Sequence, residues 1–171
     1  MTSKGDGAFA TPASVGSSPE ASHLDKAPPR RKRDTHRLWL PPDAPPCTIT
    51  AFGFSFGIPP DVNWVMDMRF IANPYWVEEL RGLSGREPAV RDYIVSQPAA
   101  QQFLDLATEL LVLAWTSQRF PLKQINLGLG CTGGRHRSVV MAEALSERLI
   151  EVGANVTVVL RDVDRPDPRW H

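Results

Sequence analysis

The stretch QINLGLGCTGGRHRSVVMAEALSERLIEVGANVTVVLRD, residues 124–162, decides the fold class of this protein. Its apolar start QINLGLGC predicts a buried strand, and RHRSVVMAEALSERLIEVG predicts a helix that ends at Gly153. The closing NVTVVLRD predicts another strand. A strand, a helix and a strand in this order indicate a βαβ unit with a parallel pair of strands, and therefore an α/β fold.

The residues before this unit supply further elements. CTITAFGF predicts a first strand over Thr48–Phe54. WVMDMRF alternates in polarity and predicts a second strand over residues 64–70, which places Asp67 and Arg69 on one face. A long loop follows, and then a short helix with Pro88 in its first turn.

PAAQQFLDLATELLVLAWTSQRF predicts a long and largely buried helix. Its apolar stripe comprises Phe103, Leu104, Leu106, Ala107, Leu110, Leu111, Leu113 and Ala114. Together these elements predict a small, mainly parallel four-stranded sheet flanked by helices.

The composition suits one globular domain. The 171 residues are 42% apolar and carry a formal net charge of zero, which gives no reason to expect a generally nucleic-acid-binding surface. The two cysteines, Cys47 and Cys131, form neither a disulfide framework nor a metal cluster. No apolar run is long enough to span a membrane, and the N-terminus lacks the features of a signal peptide. We therefore expect a cytoplasmic protein without a metal or cofactor.

Residues 1–46 differ from the rest, because they are rich in Pro, Ser, Ala, Gly and Thr and hold almost no large apolar residues. This composition predicts a disordered tail before a folded domain over residues 47–171. The tail contains the basic run RRKRDTHR, in which Arg30, Arg31, Lys32 and Arg33 are candidate contacts for RNA phosphates. The alternative is a solvated tail that aids solubility.

The glycine-rich turn between strand and helix is the strongest candidate site. Glycines let backbone N–H groups approach a ligand, and a helix N-terminus favours an anion. Arginine adds charged donors, so the local physics predicts a phosphate or similar anion. The alternative is a tight turn whose arginines lie in solvent. The candidate ligands are Cys131, Thr132, Gly133, Gly134, Arg135, His136, Arg137 and Ser138.

Two other functions remain open for this turn. Gly128-x-Gly130-x-x-Gly133 satisfies the dinucleotide fingerprint as a pattern, with Asp162 as a late acidic residue at a strand end. The Walker pattern of nucleotide-binding loops is absent from the sequence.

The second alternative is a phosphatase, because Cys131-x5-Arg137-Ser138 resembles the tyrosine-phosphatase loop, in which a thiolate attacks phosphorus. The candidate general acids are Asp61, Asp67 and Asp92. Gly130 departs from that pattern, since those enzymes usually carry a histidine there.

The residues GCTGGRHRSVVMAEAL are similar to the C-terminal domain of the RapZ family of RNase adapters. The resemblance extends back through AFGFSFGIPPDVNWVMDMRFIANPYWVEELRGLSGREPAVRDYI and covers about residues 49–158. It implies an α/β domain that binds an amino-sugar phosphate, glucosamine-6-phosphate, and small RNAs. It also implies presentation of RNA to a ribonuclease and assembly through this domain, here as a homodimer.

The resemblance also implies a set of ligand-binding residues: Cys131, Thr132, Gly133, His136, Arg137, Asp67, Arg69 and Asn73. Full-length family members carry a P-loop domain before this one, so ATP or GTP binding is not carried over to this chain. Tyr75 stands where relatives have a histidine, and the C-terminal RDVDRPDPRWH is less basic than their tail. Ligand binding therefore transfers better than RNA binding.

Two of these residues have a structural alternative. The carboxylate of Asp67 would suit an amino group, but an internal ion pair with Arg69 is equally compatible with the sequence. His136 is either a donor to phosphate or a loop histidine in solvent.

Overall fold

The computed structural model describes Leu40, residues 42–117 and residues 123–166. The predicted basic run and most of the predicted tail lie outside the described residues. The described elements are β1 (Cys47–Gly53), β2 (Trp64–Asp67), α1 (Pro88–Val95), α2 (Pro98–Thr116), β3 (Ile125–Cys131), α3 (Arg137–Glu151) and β4 (Val156–Leu160).

The four strands form one parallel sheet in the order β2-β3-β1-β4. The predicted α/β class with a four-stranded parallel sheet is therefore confirmed. The two strands of the predicted βαβ unit are parallel but are not neighbours, because β1 lies between them. All four strands point the same way, so their carboxyl ends meet at one edge, where Gly53 lies opposite Cys131 and Asp67 opposite Gly130.

The core lies between the sheet and the helices. Ile49, Ala51 and Phe52 of β1 are fully buried, as expected for a central strand. Burying a large aliphatic or aromatic side chain stabilises the fold by roughly 1.5–3 kcal/mol. Helix α3 is buried along most of its length and ends as predicted, since Gly153 adopts a φ of 95° and donates to Ile150.

Helix α2 is less buried than its composition predicts. Leu106, Leu110 and Leu113 are exposed, with relative accessibilities of 46%, 43% and 65%. Leu104 faces the core, and Leu106 lies two residues further along the helix, which corresponds to about 200° of rotation. The exposed leucines therefore lie on the face opposite the core. The buried residues are Ala100, Leu104, Ala107, Thr108, Leu111, Val112 and Trp115.

Strand β2 is shorter than predicted. It ends at Asp67, whose Oδ1 accepts a hydrogen bond from the backbone N–H of Arg69 at 2.9 Å and caps a 3₁₀ turn over Met68–Phe70. The turn leaves Phe70 54% exposed, against the predicted alternation. Asp67 and Arg69 are thus brought together by a capped turn and not by a strand face. No helix among the described residues is long and apolar enough to cross a membrane.

Candidate functional site

The glycine-rich loop, defined as Thr132–His136, joins β3 to α3 at the carboxyl edge of the sheet. Gly134 adopts a φ of 73°, and a Cβ there would lie 2.6 Å from the backbone nitrogen of Gly53 and 2.8 Å from Cβ of Asp162. Only glycine combines this left-handed backbone with such a close approach. The loop therefore packs directly on the ends of β1 and β4.

The backbone of the loop has N–H groups that are not used in hydrogen bonds between described residues. Within the described part of the chain, the N–H groups of residues 132–136 make no hydrogen bond. They are followed by the N-terminus of the 15-residue α3, whose first N–H groups lack intrahelical acceptors. Successive unbonded N–H groups at a helix N-terminus form an anion-binding concavity.

Arg137 begins α3 and is only 5% exposed. Its Nη1 donates to the backbone oxygens of Arg69 and Ile71 at 3.3 and 3.1 Å, and its Nη2 donates to Oγ1 of Thr132 at 3.3 Å. The alternative of solvated arginines is therefore wrong for Arg137. Its guanidinium holds the segment after β2 against the loop and places positive charge beneath the site.

Arg135 and His136 reach across to the segment Gly82–Glu87. Arg135 donates to the carbonyl oxygens of Gly82 and Leu83 at 3.2 and 3.3 Å, and also to that of Val163. Nε2 of His136 lies 2.7 Å from the oxygen of Leu83. A carbonyl only accepts, so Nε2 carries a proton. Neither side chain extends freely into solvent.

Burial lowers the pKa of His136, and the charges of Arg135 and Arg137 act in the same direction. The imidazole is therefore neutral at pH 7, with Nδ1 as an acceptor. In this state, His136 orients the loop through Leu83, and donation from Nδ1 to a phosphate would require a second proton.

Cys131 ends β3 and is 3% exposed, with its Sγ 3.2 Å from Oγ of the fully buried Ser138. The neighbouring Gly130 has no room for a side chain, because a Cβ would lie 2.6 Å from the Phe54 ring and 2.7 Å from the Phe52 ring. The phenylalanine rings thus explain why the histidine of the phosphatase pattern is absent. Cys47 opens β1, and burial raises its pKa to about 12, which makes it unreactive.

Asp67 and Arg69 form an ion pair beside the loop, with Nη2 of Arg69 2.6 Å from Oδ2 of Asp67. Arg69 also stacks on the Phe54 ring, with its Cζ 4.6 Å from the ring centroid. Hydrogen bonds from Arg69 lower the pKa of Asp67, and the charge of Arg137 lowers it further. A general acid requires the opposite shift, so this carboxylate is poorly suited to that role.

Of the other proposed acids, Asp61 lies in the exposed connection before β2, and Asp92 is exposed on α1. Asn73 caps a separate 3₁₀ turn, Pro74–Trp76, which contains Tyr75, and Oδ1 of Asn73 accepts from the N–H of Tyr75 at 3.4 Å. Nε of Arg81 donates to the carbonyl oxygen of Tyr75.

The structure adds residues that sequence reasoning did not place in the site. Gly53 packs on the loop, and Gly82 and Leu83 accept from its side chains. The dinucleotide pattern is not formed as a turn, because Gly128 and Gly130 lie inside β3 next to phenylalanine rings. Asp162 is fully buried and bonded to the N–H of Gly53 and to Arg161, so it is not presented to a ribose.

Arg86 and Arg91 form ion pairs with acidic side chains. Arg86 pairs with Asp164, and Arg91 pairs with Glu143 and Glu147 of α3. Among the described residues, no group of three or more His, Cys, Asp or Glu side chains is placed to hold a metal ion.

The comparisons with known proteins agree with this architecture. The family model of the RapZ C-terminal domain matches residues 46–164. A protein of Frankia alni named nucleotide-binding protein is 49% identical over 119 residues, which is 69% of this chain and 41% of that protein. A protein of the same name from Mycobacterium avium is 47% identical over 123 residues, with 69% and 41% covered.

A third relative, a nucleotide-binding protein of Streptomyces coelicolor, is 45% identical over 119 residues, with 69% of this chain and 40% of the relative covered. The chain thus spans about two fifths of the length of these curated relatives. The matched residues include all four strands, the glycine-rich loop and the three helices. This protein belongs to the family of the RapZ C-terminal domain.

Proposed function

We propose that this chain binds a phosphorylated small molecule, an amino-sugar phosphate, with the phosphate in the loop Thr132–His136. The proposal rests mainly on five consecutive N–H groups, residues 132–136, which lie directly before α3 and make no hydrogen bond within the described residues. A phosphate would accept from these groups and gain from the partial positive charge of the helix N-terminus. Its dianionic form would gain most.

The side chains around the loop support the same ligand class. Arg69 keeps 51% of its side chain exposed at the rim, so its guanidinium is available to a phosphate as well as to Asp67. The carboxylate of Asp67 is 43% exposed and is held ionised by its low pKa, which suits the ammonium group of an amino sugar. Thr132 supplies a hydroxyl that is held by Arg137.

We propose further that the ligand-bound domain acts as a cytoplasmic adapter for RNA or for a ribonuclease, as a homodimer. The names of the relatives refer to nucleotides, and this chain spans about two fifths of their length. The adapter role therefore rests on the family and on the basic run Arg30–Arg33, which lies outside the described residues.

Calorimetric titration with glucosamine-6-phosphate tests the binding function. Glucosamine and inorganic phosphate serve as ligands that lack one half of the molecule. We expect saturable binding of glucosamine-6-phosphate, weaker binding of inorganic phosphate and none of glucosamine. Equal binding of glucosamine and its phosphate would refute a phosphate site at the loop.

A matched pair of variants assigns the binding to the rim. Arg69→Gln removes a guanidinium beside the loop, and Arg148→Gln removes one from an ion pair with Asp105. Arg148 lies eleven residues beyond Arg137 in α3, about 16 Å along the axis. We expect Arg69→Gln to weaken binding at least about tenfold, equivalent to 1.4 kcal/mol, and Arg148→Gln to leave it unchanged. Equal effects would place the ligand elsewhere.

A further inference from the structure

Asp162 is a fully buried carboxylate beyond the end of β4, and it serves neither the proposed ligand nor the core. Its Oδ2 accepts from the backbone N–H of Gly53 at 2.8 Å. Arg161 binds the same oxygen at 2.6 Å, and Nε of Arg165 lies 3.3 Å from Oδ1. A buried charge with this set of partners is costly to desolvate, and the contacts offset that cost.

The bond to Gly53 places Asp162 one contact away from the glycine-rich loop. Gly53 ends β1, and its ideal Cβ position lies 2.6 Å from the carbonyl carbon of Gly133 and 2.8 Å from the nitrogen of Gly134. The loop peptide therefore rests on the Gly53 backbone. On its other side, Gly134 meets Asp162 itself, since its ideal Cβ would lie 2.8 Å from Cβ of Asp162.

We infer that Asp162 is a positioning residue for the loop: by fixing the N–H of Gly53 it sets the direction of the Gly133 and Gly134 N–H groups toward the ligand. The inference rests on the proposed function for the ligand it names. Two arginines anchor the carboxylate from outside the site. Arg161 stacks on Phe52 and donates to the oxygen of Gly57 at 2.7 Å.

In this arrangement the loop would bind the phosphate, and Asp162 would position the loop, at the same edge of the sheet. The loop would supply the hydrogen bonds to the phosphate. The carboxylate of Asp162 would make no contact with the phosphate, because two anions repel each other. Asp162 is completely buried, and arginines contact both of its oxygens, which offsets its negative charge.

The test compares Asp162→Ala with Asp164→Ala. Asp164 lies two residues further on, is 76% exposed and also holds an arginine, Arg86, through two hydrogen bonds. Amide ¹H–¹⁵N spectra of the ligand-free proteins and calorimetric titration with glucosamine-6-phosphate are recorded for both. We expect Asp162→Ala to shift the amide resonances of Gly53, Gly133 and Gly134 and to weaken binding at least about tenfold. Asp164→Ala should change neither.

Two results would overturn the inference. One is unmoved Gly133 and Gly134 resonances in Asp162→Ala, and the other is binding by that variant within about twofold of wild type. If the wild-type protein does not bind glucosamine-6-phosphate, the proposed function fails, and the resonances alone still decide whether Asp162 positions the loop.

A second variant covers the case in which Asp162→Ala does not fold. Asp162→Asn keeps an oxygen that accepts from the Gly53 N–H, although it removes the charge that faces the arginines. We expect Asp162→Asn to keep the Gly133 and Gly134 resonances and to bind within about threefold of wild type. A tenfold loss of affinity in this variant would show that the hydrogen bond to Gly53 is not what positions the loop.

Discussion

The guanidinium of Arg137 donates to the carbonyl oxygen of Ile71 at 3.1 Å and so bonds the first turn of α3 to a segment 66 residues earlier in the chain. The same group reaches Arg69 O and Thr132 Oγ1. One side chain thus connects the end of β2, the loop and the helix. Its position makes it a structural residue of the site in addition to a candidate phosphate ligand.

Replacement of this arginine should therefore affect both stability and binding. We expect Arg137→Ala to lower the free energy of unfolding by about 3 kcal/mol, because the buried carbonyl oxygen of Ile71 and the part-buried one of Arg69 lose their donor. Binding of glucosamine-6-phosphate should weaken by a few kcal/mol, roughly a hundredfold or more. Urea denaturation and calorimetry measure the two effects. A variant of unchanged stability and unchanged affinity would contradict both roles.

Two glycines with positive φ offer a matched test of crowding in the loop. Gly134 has a φ of 73° with backbone atoms within 3.0 Å of its ideal Cβ position, whereas Gly57 has a φ of 79° and nothing within 4 Å. Gly57→Ala should cost only the strain of its positive-φ backbone (φ 79°, ψ 159°), about 1–3 kcal/mol. Gly134→Ala should cost about 3 kcal/mol or more, since it adds overpacking. A similar loss in the free energy of unfolding for both variants, measured by urea denaturation, would mean that the loop shifts to accommodate the added methyl group.

The stability of the protein should depend on pH through His136. Its pKa in the folded state lies below the ordinary value of 6.5, so below that pH the unfolded chain binds a proton that the folded chain excludes. The free energy of unfolding should fall as the pH drops from about 6.5 through the lower folded-state pKa.

His136→Gln provides the comparison, because glutamine can still donate to Leu83 O but does not titrate. Urea denaturation at pH 7.5 and pH 5.5 should show a smaller loss of stability in this variant than in wild type. An identical loss in both proteins would assign the pH dependence to other groups.

Replacement of Cys131 tests whether the loop is a binding site or the active site of a phosphatase. Its contact with Ser138 and its position before α3 resemble a nucleophile loop, but the nearby Asp67 has a lowered pKa and is unsuited as a general acid. We expect no phosphate release from p-nitrophenyl phosphate by the wild-type protein. We expect Cys131→Ser to bind glucosamine-6-phosphate within about threefold of wild type. Phosphate release that disappears in Cys131→Ser would instead establish the enzyme.

If the basic run binds RNA, the affinity should depend on the salt concentration. Contacts from Arg30, Arg31, Lys32 and Arg33 to four phosphates of single-stranded RNA correspond to a slope of log affinity against log salt of about −3. Binding measured by fluorescence anisotropy at several salt concentrations gives this slope. Replacement of the four residues by glutamine, or removal of residues 1–46, should abolish binding. Affinity that is insensitive to salt would refute the role of this run.

The sequence determined the elements whose signals are local. The strands β1 and β3, the helix α1, the helix α3 with its stop at Gly153, and the glycine-rich turn between β3 and α3 all follow from apolar periodicity and glycine chemistry. Because parallel strands present their carboxyl ends and following loops at one edge, these signals also placed the candidate site. The α/β class needed nothing more than this order of elements.

The order of the elements in space came from long-range packing and not from any local pattern. The tertiary structure inserted β1 between β3 and β4, and it left Leu106, Leu110 and Leu113 of α2 exposed, since an apolar pattern does not state which of two stripes meets the core. It also showed long-range structural contacts of residues that the sequence had suggested only as ligands. The bonds of Arg137 to Ile71 and of Asp162 to Gly53 join residues 66 and 109 positions apart, and no local pattern specifies such pairs.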